Sequence, residues 1–188
     1  MYKNIHEVTI ASLKENCTMI HYFGLGFIQV KLGDRYRMHF YTDRLPAITN
    51  DEDIHNHRYD FTSSIFHGSF TQDIFMLVDG DTHVLSEESC KEGVEAVTSP
   101  KPCGVQKLIT QYFARGSSYW ISHETFHRVN ASDAITFLDR GDVIAKENAL
   151  VARAVNAPKV CPFAKKVPEP ELWEIIEGML SSISAAGR

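Results

Sequence analysis

The run Asp53-Ile54-His55-Asn56-His57-Arg58-Tyr59-Asp60-Phe61-Thr62-Ser63-Ser64-Ile65-Phe66-His67-Gly68 decides how the rest of the chain is read. Two histidines one residue apart head a stretch rich in aromatic and β-branched residues. In a strand, side chains alternate between faces, so His55 and His57 point the same way, and Tyr59 and Ser63 share their parity. Neutral imidazole is a ligand for Zn, Fe, Cu, Ni and Mn, and two imidazoles at this spacing make half of a metal site. A third has to come from elsewhere. His127 is the candidate, at the end of Ser118-Tyr119-Trp120-Ile121-Ser122-His123-Glu124-Thr125-Phe126-His127.

Working outward, Phe27 to Leu32, a turn at Gly33-Asp34, and Arg35 to Tyr41 read as a hairpin. Thr42 to Asp53 reads as the loop that leads into the histidine pair. Tyr59 to Phe66 and Ser69 to Val78 read as a second pair of strands joined by a tight turn at His67-Gly68, and Asp79-Gly80-Asp81 closes them. Thr82 to Leu85 predicts a short strand, and Ser86 to Gly104, with Pro100 and Pro102, a surface excursion. Val105 to Ala114 and Ser118 to Ser122 flank a turn at Arg115-Gly116-Ser117, and Ala134 to Leu138 is a short β run. Many short strands separated by Gly, Asp and Asn turns predict an all-β antiparallel barrel or sandwich. Helical spacing is confined to the ends. Ile5 to Lys14 predicts a short amphipathic helix, and Pro168-Glu169-Pro170 followed by apolar residues at 172, 175, 176, 179 and 180 predicts a C-terminal helix over about 169–184.

The 188 residues are expected to form one domain, with a barrel core over about 25–155. Hydrophobic residues make up 44% and charged residues 23%, which is ordinary for a globular protein and excludes a disordered chain. A net charge of −5 without any block of Lys or Arg argues against nucleic acid or an anionic membrane as partner and leaves a small-molecule ligand. The N-terminus has no signal-peptide pattern, and no apolar run reaches the roughly 20 residues of a membrane span, so a cytoplasmic protein is expected. Cys17, Cys90, Cys103 and Cys161 form no Cys-x-x-Cys pair and are expected to be buried, reduced thiols.

The two histidine stretches together resemble the cupin superfamily. That family's first motif runs G-x5-H-x-H-x3,4-E-x6-G and its second G-x5-P-x-G-x2-H-x3-N. His55-x-His57 and Gly68 match the first spacing. Gly116, Ser122, Glu124 and His127 fall at the spacing of the second. His55 through Phe61 also looks like a cupin subgroup with His-x-His-x-x-Asp-Phe, largely of unassigned function and in part phage-encoded. The likeness covers about residues 25 to 140. It implies a double-stranded β-helix barrel, a divalent metal held by His55, His57 and His127, and often a homodimer.

The chain departs from the pattern at telling places. Thr49 replaces the first glycine, Ser122 and Glu124 replace proline and glycine, and Asn130 comes one residue early. Where the family has its glutamate ligand this chain has Phe61 or Thr62. Asp60 has the wrong parity to substitute unless the strand is bulged. A three-histidine site is left, which keeps the full 2+ charge of the ion and favours an anionic substrate or activated water. Three-histidine sites in the superfamily resemble those of iron dioxygenases, so Fe(II) is the expected ion ahead of Zn, Mn or Ni, with Tyr59 and Ser63 as the expected catalytic groups orienting substrate. The alternative is a cupin that binds or sequesters a small ligand without catalysis.

His123-Glu124-Thr125-Phe126-His127 is His-Glu-x-x-His, a zinc-peptidase signature if helical, with Glu147 as a third ligand; its neighbours are poor helix formers. Arg35, Arg37 and His39 share a strand face that is either an anion clamp or solvated. Trp120 is expected in the barrel core. His67 and His83 are expected on the surface.

Overall fold

A computed structural model describes residues 2–45, 54–87, 100–145, 149–157 and 165–186. Thr49, most of the loop before the histidine pair, most of the excursion after Ser86, Cys90, Cys161 and Glu147 lie outside them. The chain begins with a 3-10 turn at Ile5–Glu7 and helix α1 at Ile10–Asn16, where the sequence suggested one helix over Ile5 to Lys14. The interruption has a local cause. Thr9 is the N-cap of α1 and forms a capping box with Ser12, which starts a new helix instead of extending the turn.

Eleven strands follow among the described residues: β1 Cys17–Phe23, β2 Phe27–Leu32, β3 Tyr36–Tyr41, β4 Ile54–His55, β5 Tyr59–His67, β6 Ser69–Glu87, β7 Lys101–Ala114, β8 Ser118–Ile121, β9 Phe126–Ala131, β10 Ala134–Val143 and β11 Leu150–Ala154. Helix α2, Glu169–Ala186, ends the fold where the sequence placed a helix. The strands form two antiparallel sheets. One has six strands in the order β1-β2-β3-β10-β5-β8, and the other has five in the order β11-β4-β9-β6-β7, with β11 also paired to β6. The β-rich class and the hairpin of β2 and β3 agree with the alternation in the sequence.

The second expected hairpin is different. β5 pairs with β10 and β8, while β6 pairs with β7, β9 and β11, so the two belong to different sheets. His67-Gly68 is a corner between sheets. Gly68 has φ +68°, and a Cβ there would come within 2.2 Å of the Asp133 carbonyl oxygen, so only glycine fits. Asp79-Gly80-Asp81 does not end a strand either. β6 continues to Glu87 through a register shift between Val78 and His83, absorbing the short strand expected at Thr82.

Alternation gives the six-stranded sheet two unlike faces. Ile28 and Val30 of β2, Met38 and Phe40 of β3, and Ile135 and Phe137 of β10 point outward and pack beneath Leu172, Ile175 and Ile176 of α2 and Leu13 of α1. This is the larger hydrophobic core. The opposite parity, Phe27, Gln29 and Lys31 of β2 and Arg37, His39 and Tyr41 of β3, faces the five-stranded sheet across a cavity of about 340 Å³. Trp120, expected in the core, is 63% exposed, because Tyr119 takes the inward position on β8. His67 and His83 are half-buried, not exposed.

Candidate functional site

One wall of the cavity carries His55, His57 and His127, whose ligand atoms all lie within 4.8 Å of one another. The single strand expected through the histidine pair is absent. His55 ends the two-residue strand β4 in the five-stranded sheet, and the chain then crosses to β5 in the other sheet, with His57 in the connection. Convergence comes from β9 and from Asn56. His55 is directly opposite His127 across the β4–β9 pairing. Between the histidines, Asn56 donates its backbone N–H to the Leu150 carbonyl at 3.1 Å and accepts the Leu150 N–H on Oδ1 at 2.7 Å. The residue between the two histidines thus clamps the crossing to β11.

The ring nitrogens aim at a common point. His57 Nε2 and His127 Nε2 are 2.8 Å apart. His127 Nδ1 is 3.1 Å from Gln72 Oε1, an acceptor, so the Nδ1–H is donated there and Nε2 is left with its lone pair. The His57–His127 contact then has one proton between two nitrogens. A divalent ion can take the place of that proton. Two nitrogens bound to one ion at about 2.0–2.1 Å lie roughly 3.0–3.4 Å apart, so small rotations of these rings suffice. Burial, with the neighbouring His127 and His55, pushes the His57 imidazole well below its usual pKa, and burial with His55 does the same to His127. Both are neutral, the form that binds metal.

Around the imidazoles the lining is aromatic. Phe61 is 3% exposed, and its ring centre is 4.8 Å from that of His57, edge to face. This phenylalanine occupies the inward position expected for a carboxylate, and Thr62 points out to solvent. Asp60 follows its parity and leaves the site: its Oδ1 accepts the His123 backbone N–H at 2.7 Å and lies 2.8 Å from His123 Nδ1. These two hydrogen bonds hold its carboxyl below the usual range. His123 and Glu124 stand in the turn before β9, and His127 is in a strand, so the pentapeptide forms no helix. Neither His123 nor Glu124 belongs to the imidazole cluster.

Tyr59 and Ser63 both line the cavity, as their parity with Phe61 requires. The centre of the Tyr59 ring is 5.6 Å from that of His57. Ser63 is 2% exposed and hydrogen-bonds Tyr119, whose hydroxyl is pushed up to about 12, chiefly by burial. His39 is buried, with Nε2 3.0 Å from Gln29 Nε2 and Nδ1 3.4 Å from Thr136 Oγ1, and burial takes its pKa down to about 3. Of the Arg35, Arg37 and His39 row, Arg37 and His39 face the cavity. Arg35 turns away to an exposed ion pair with Asp139.

Gln72 is the residue the sequence reading missed. It is 1% exposed and supported by Gln111, to whose Oε1 its amide donates at 3.3 Å. The signal was present in principle: Gln72 stands between Phe70 and Ile74 at period two, a polar residue on an otherwise apolar inward row. No described helix is long and apolar enough to cross a membrane. No family model, curated protein or solved structure matches the chain.

Proposed function

We propose that the protein is a metal-dependent enzyme of the cupin type that acts on a small organic molecule inside the cavity, with Fe(II) dioxygenase-like chemistry as the reading the site supports best. The observation that carries it is the cluster of three imidazoles on the cavity wall, within 4.8 Å of one another and joined by no carboxylate among the described residues. His55, His57 and His127 would hold the ion. When bound, it supplies Lewis acidity and, if it is iron, one-electron chemistry with oxygen.

The remaining work falls to the side chains. Gln72 fixes the His127 ring through Nδ1, so that Nε2 stays turned to the cavity. Tyr59 and Ser63 present hydroxyl groups on the same wall as Phe61 and orient the substrate. Phe61 and the aromatic lining limit water, which strengthens every polar contact made there. The volume of about 340 Å³ is at the lower end of ligand pockets, which span about 300–1,000 Å³, and suits a small substrate.

Metal analysis of freshly purified protein, followed by oxygen consumption against a panel of small thiols, diols and acids, tests this. The expected outcome is about one metal per chain, lost in His55→Ala, and oxygen uptake with at least one member of the panel. Metal content that is unchanged in His55→Ala sinks the site. Bound metal without any oxygen uptake overturns the oxygenase reading in favour of a cupin that sequesters its ligand.

A further inference from the structure

The cavity is lopsided in charge. Lys31, Arg37, Arg128 and Arg153 line it, and no carboxylate does among the described residues. Arg128 is held by Asp73, 2.9 Å away. Lys31 and Arg37 are placed differently. They are direct cross-strand partners on the inward face of β2 and β3, where the usual spacing of Cβ atoms is about 4.5–5.5 Å. Arg140 on β10 adds a third cation one step along: Arg37 is opposite Leu138, and Arg140 has the same parity two residues on. The guanidinium groups of Arg37 and Arg140 are each 5.2 Å from the Tyr59 ring centre.

Like charges directly opposite one another destabilise a sheet, and burial makes the repulsion worse. The acid that precedes Arg140, Asp139, is engaged by Arg35 on the outside. Arg37 Nη1 and Arg140 Nε are both buried without a hydrogen-bond partner among the described residues. Buried donors of this kind are costly unless something accepts from them. Burial, then the charges of Arg37 and Arg140, lowers Lys31; burial lowers Arg37, against the raising influence of Tyr59 and with a smaller lowering one from Arg140. Tyr59, whose ring Arg37 faces, has its ring centre 5.6 Å from that of His57, so the cations stand one aromatic ring away from the imidazoles.

The other end of the same strands is apolar. Phe23 stacks on Phe27 with ring centres 5.0 Å apart, and Tyr41 is tilted against Phe27 at the same 5.0 Å, the group being backed by Val129. Phe27 and Lys31 are four residues apart on β2, a rise of about 13 Å. Gln29 and His39 lie between the two ends as a direct cross-strand pair.

We propose that the cavity takes a small amphipathic organic acid, with its anionic head held by Lys31 and Arg37 next to the imidazole cluster and its flat apolar body against Phe27 and Tyr41. The assignment rests on the proposed function for placing the reacting part of the ligand at His55, His57 and His127. Charge selection itself comes from β2 and β3. Arg37 supplies a planar fork suited to a carboxylate, and Lys31 a point charge across the strand pair. A carboxylate placed between Lys31 and Arg37 offsets the repulsion between them.

Calorimetric titration of the full chain with 4-phenylbutyrate and with its uncharged amide tests the assignment, on zinc-loaded and on chelator-treated protein. The acid is expected to bind about ten- to a hundredfold tighter than the amide, the range for hydrogen bonds to a charged group. Arg37→Gln and Lys31→Gln should each bring that ratio near one without lowering the melting temperature, because each relieves the like-charge pair. Arg35→Gln, which alters an exposed cation outside the cavity, should leave the ratio intact. Equal binding of acid and amide, binding of neither, or a preference that survives the double variant Lys31→Gln/Arg37→Gln overturns the proposal. Failure of the metal reading looks different: zinc content would be insensitive to His55→Ala while the preference for the acid persisted in chelator-treated protein.

Discussion

The two faces of the six-stranded sheet are made from the same strands and do opposite things. On β2 and β3 the outward residues Ile28, Val30, Met38 and Phe40 are fully enclosed, whereas the inward residues Gln29, Lys31, Arg37 and His39 border a cavity. The outward face meets α1 and α2 in a continuous apolar core. The inward face holds like charges opposite one another and donors that no described residue accepts from. The difference shows how a small β-rich chain can keep a polar cavity inside. Its stability is concentrated between sheet and helices, so the space between the sheets need not be filled.

Weakening each face in turn separates their contributions to stability. Phe40→Ala removes a fully buried aromatic from the outer core and should cost about 3–5 kcal/mol of unfolding free energy, the range for large-to-small core substitutions. Ser63→Ala on the inner face, which removes one hydrogen bond to Tyr119, should cost only about 1 kcal/mol. Urea unfolding monitored by tryptophan fluorescence measures both. Equal losses would mean that the cavity wall is as much a part of the stabilising core as the helix-covered face.

The inner face should also respond to acid in a way the outer face does not. In the folded chain burial, with Arg37 and His21 nearby, takes His39 down to about 3, while an unfolded histidine titrates near 6.5. Below about pH 6.5 the unfolded chain therefore binds a proton that the folded one refuses, and stability falls as pH drops toward the folded value. For His39 alone the loss between pH 7 and pH 5 is about 2 kcal/mol. His39→Gln keeps a polar side chain beside Gln29 and Thr136 and should flatten the pH dependence by that amount, whereas Phe40→Ala should leave the slope unchanged. Identical slopes in the wild type and His39→Gln would show that His39 is not buried neutral.

The legibility of the sequence follows the same division. Period-two alternation exposed β2 and β3, and helical spacing exposed α2, because each has one face in a continuous apolar environment. Pairing between strands distant in sequence was hidden. Nothing local to His67-Gly68 distinguishes a hairpin turn from a corner between sheets; the close approach of Asp133 does, and it comes from 65 residues further on. The three histidines were legible as residues, but the route that joins them was not. His55 and His57 converge although they share no strand, through the Asn56 clamp on Leu150 and the His55–His127 pairing. Gln72 escaped notice because an amide on a strand becomes informative only once the imidazole it orients is known.

Gln72 gives the finest test of how the cavity wall is organised. Its Oε1 accepts from His127 Nδ1, and its own amide is anchored on Gln111, so the His127 ring is fixed by a group that never faces the ligand. Replacement by leucine keeps the volume and removes the acceptor. Metal affinity should fall about 10- to 100-fold, as it does when the outer partner of a ligating histidine is lost, while zinc stoichiometry at saturation stays at one per chain. Gln72→Glu retains an acceptor and adds charge, making the imidazole a better donor, so affinity should hold or rise. Competition against a chromophoric chelator measures all three proteins on one scale. A leucine variant as tight as the wild type would place the orientation of His127 in the backbone of β9 instead, and the polar pair Gln72 and Gln111 would then be serving only to satisfy each other between the strands.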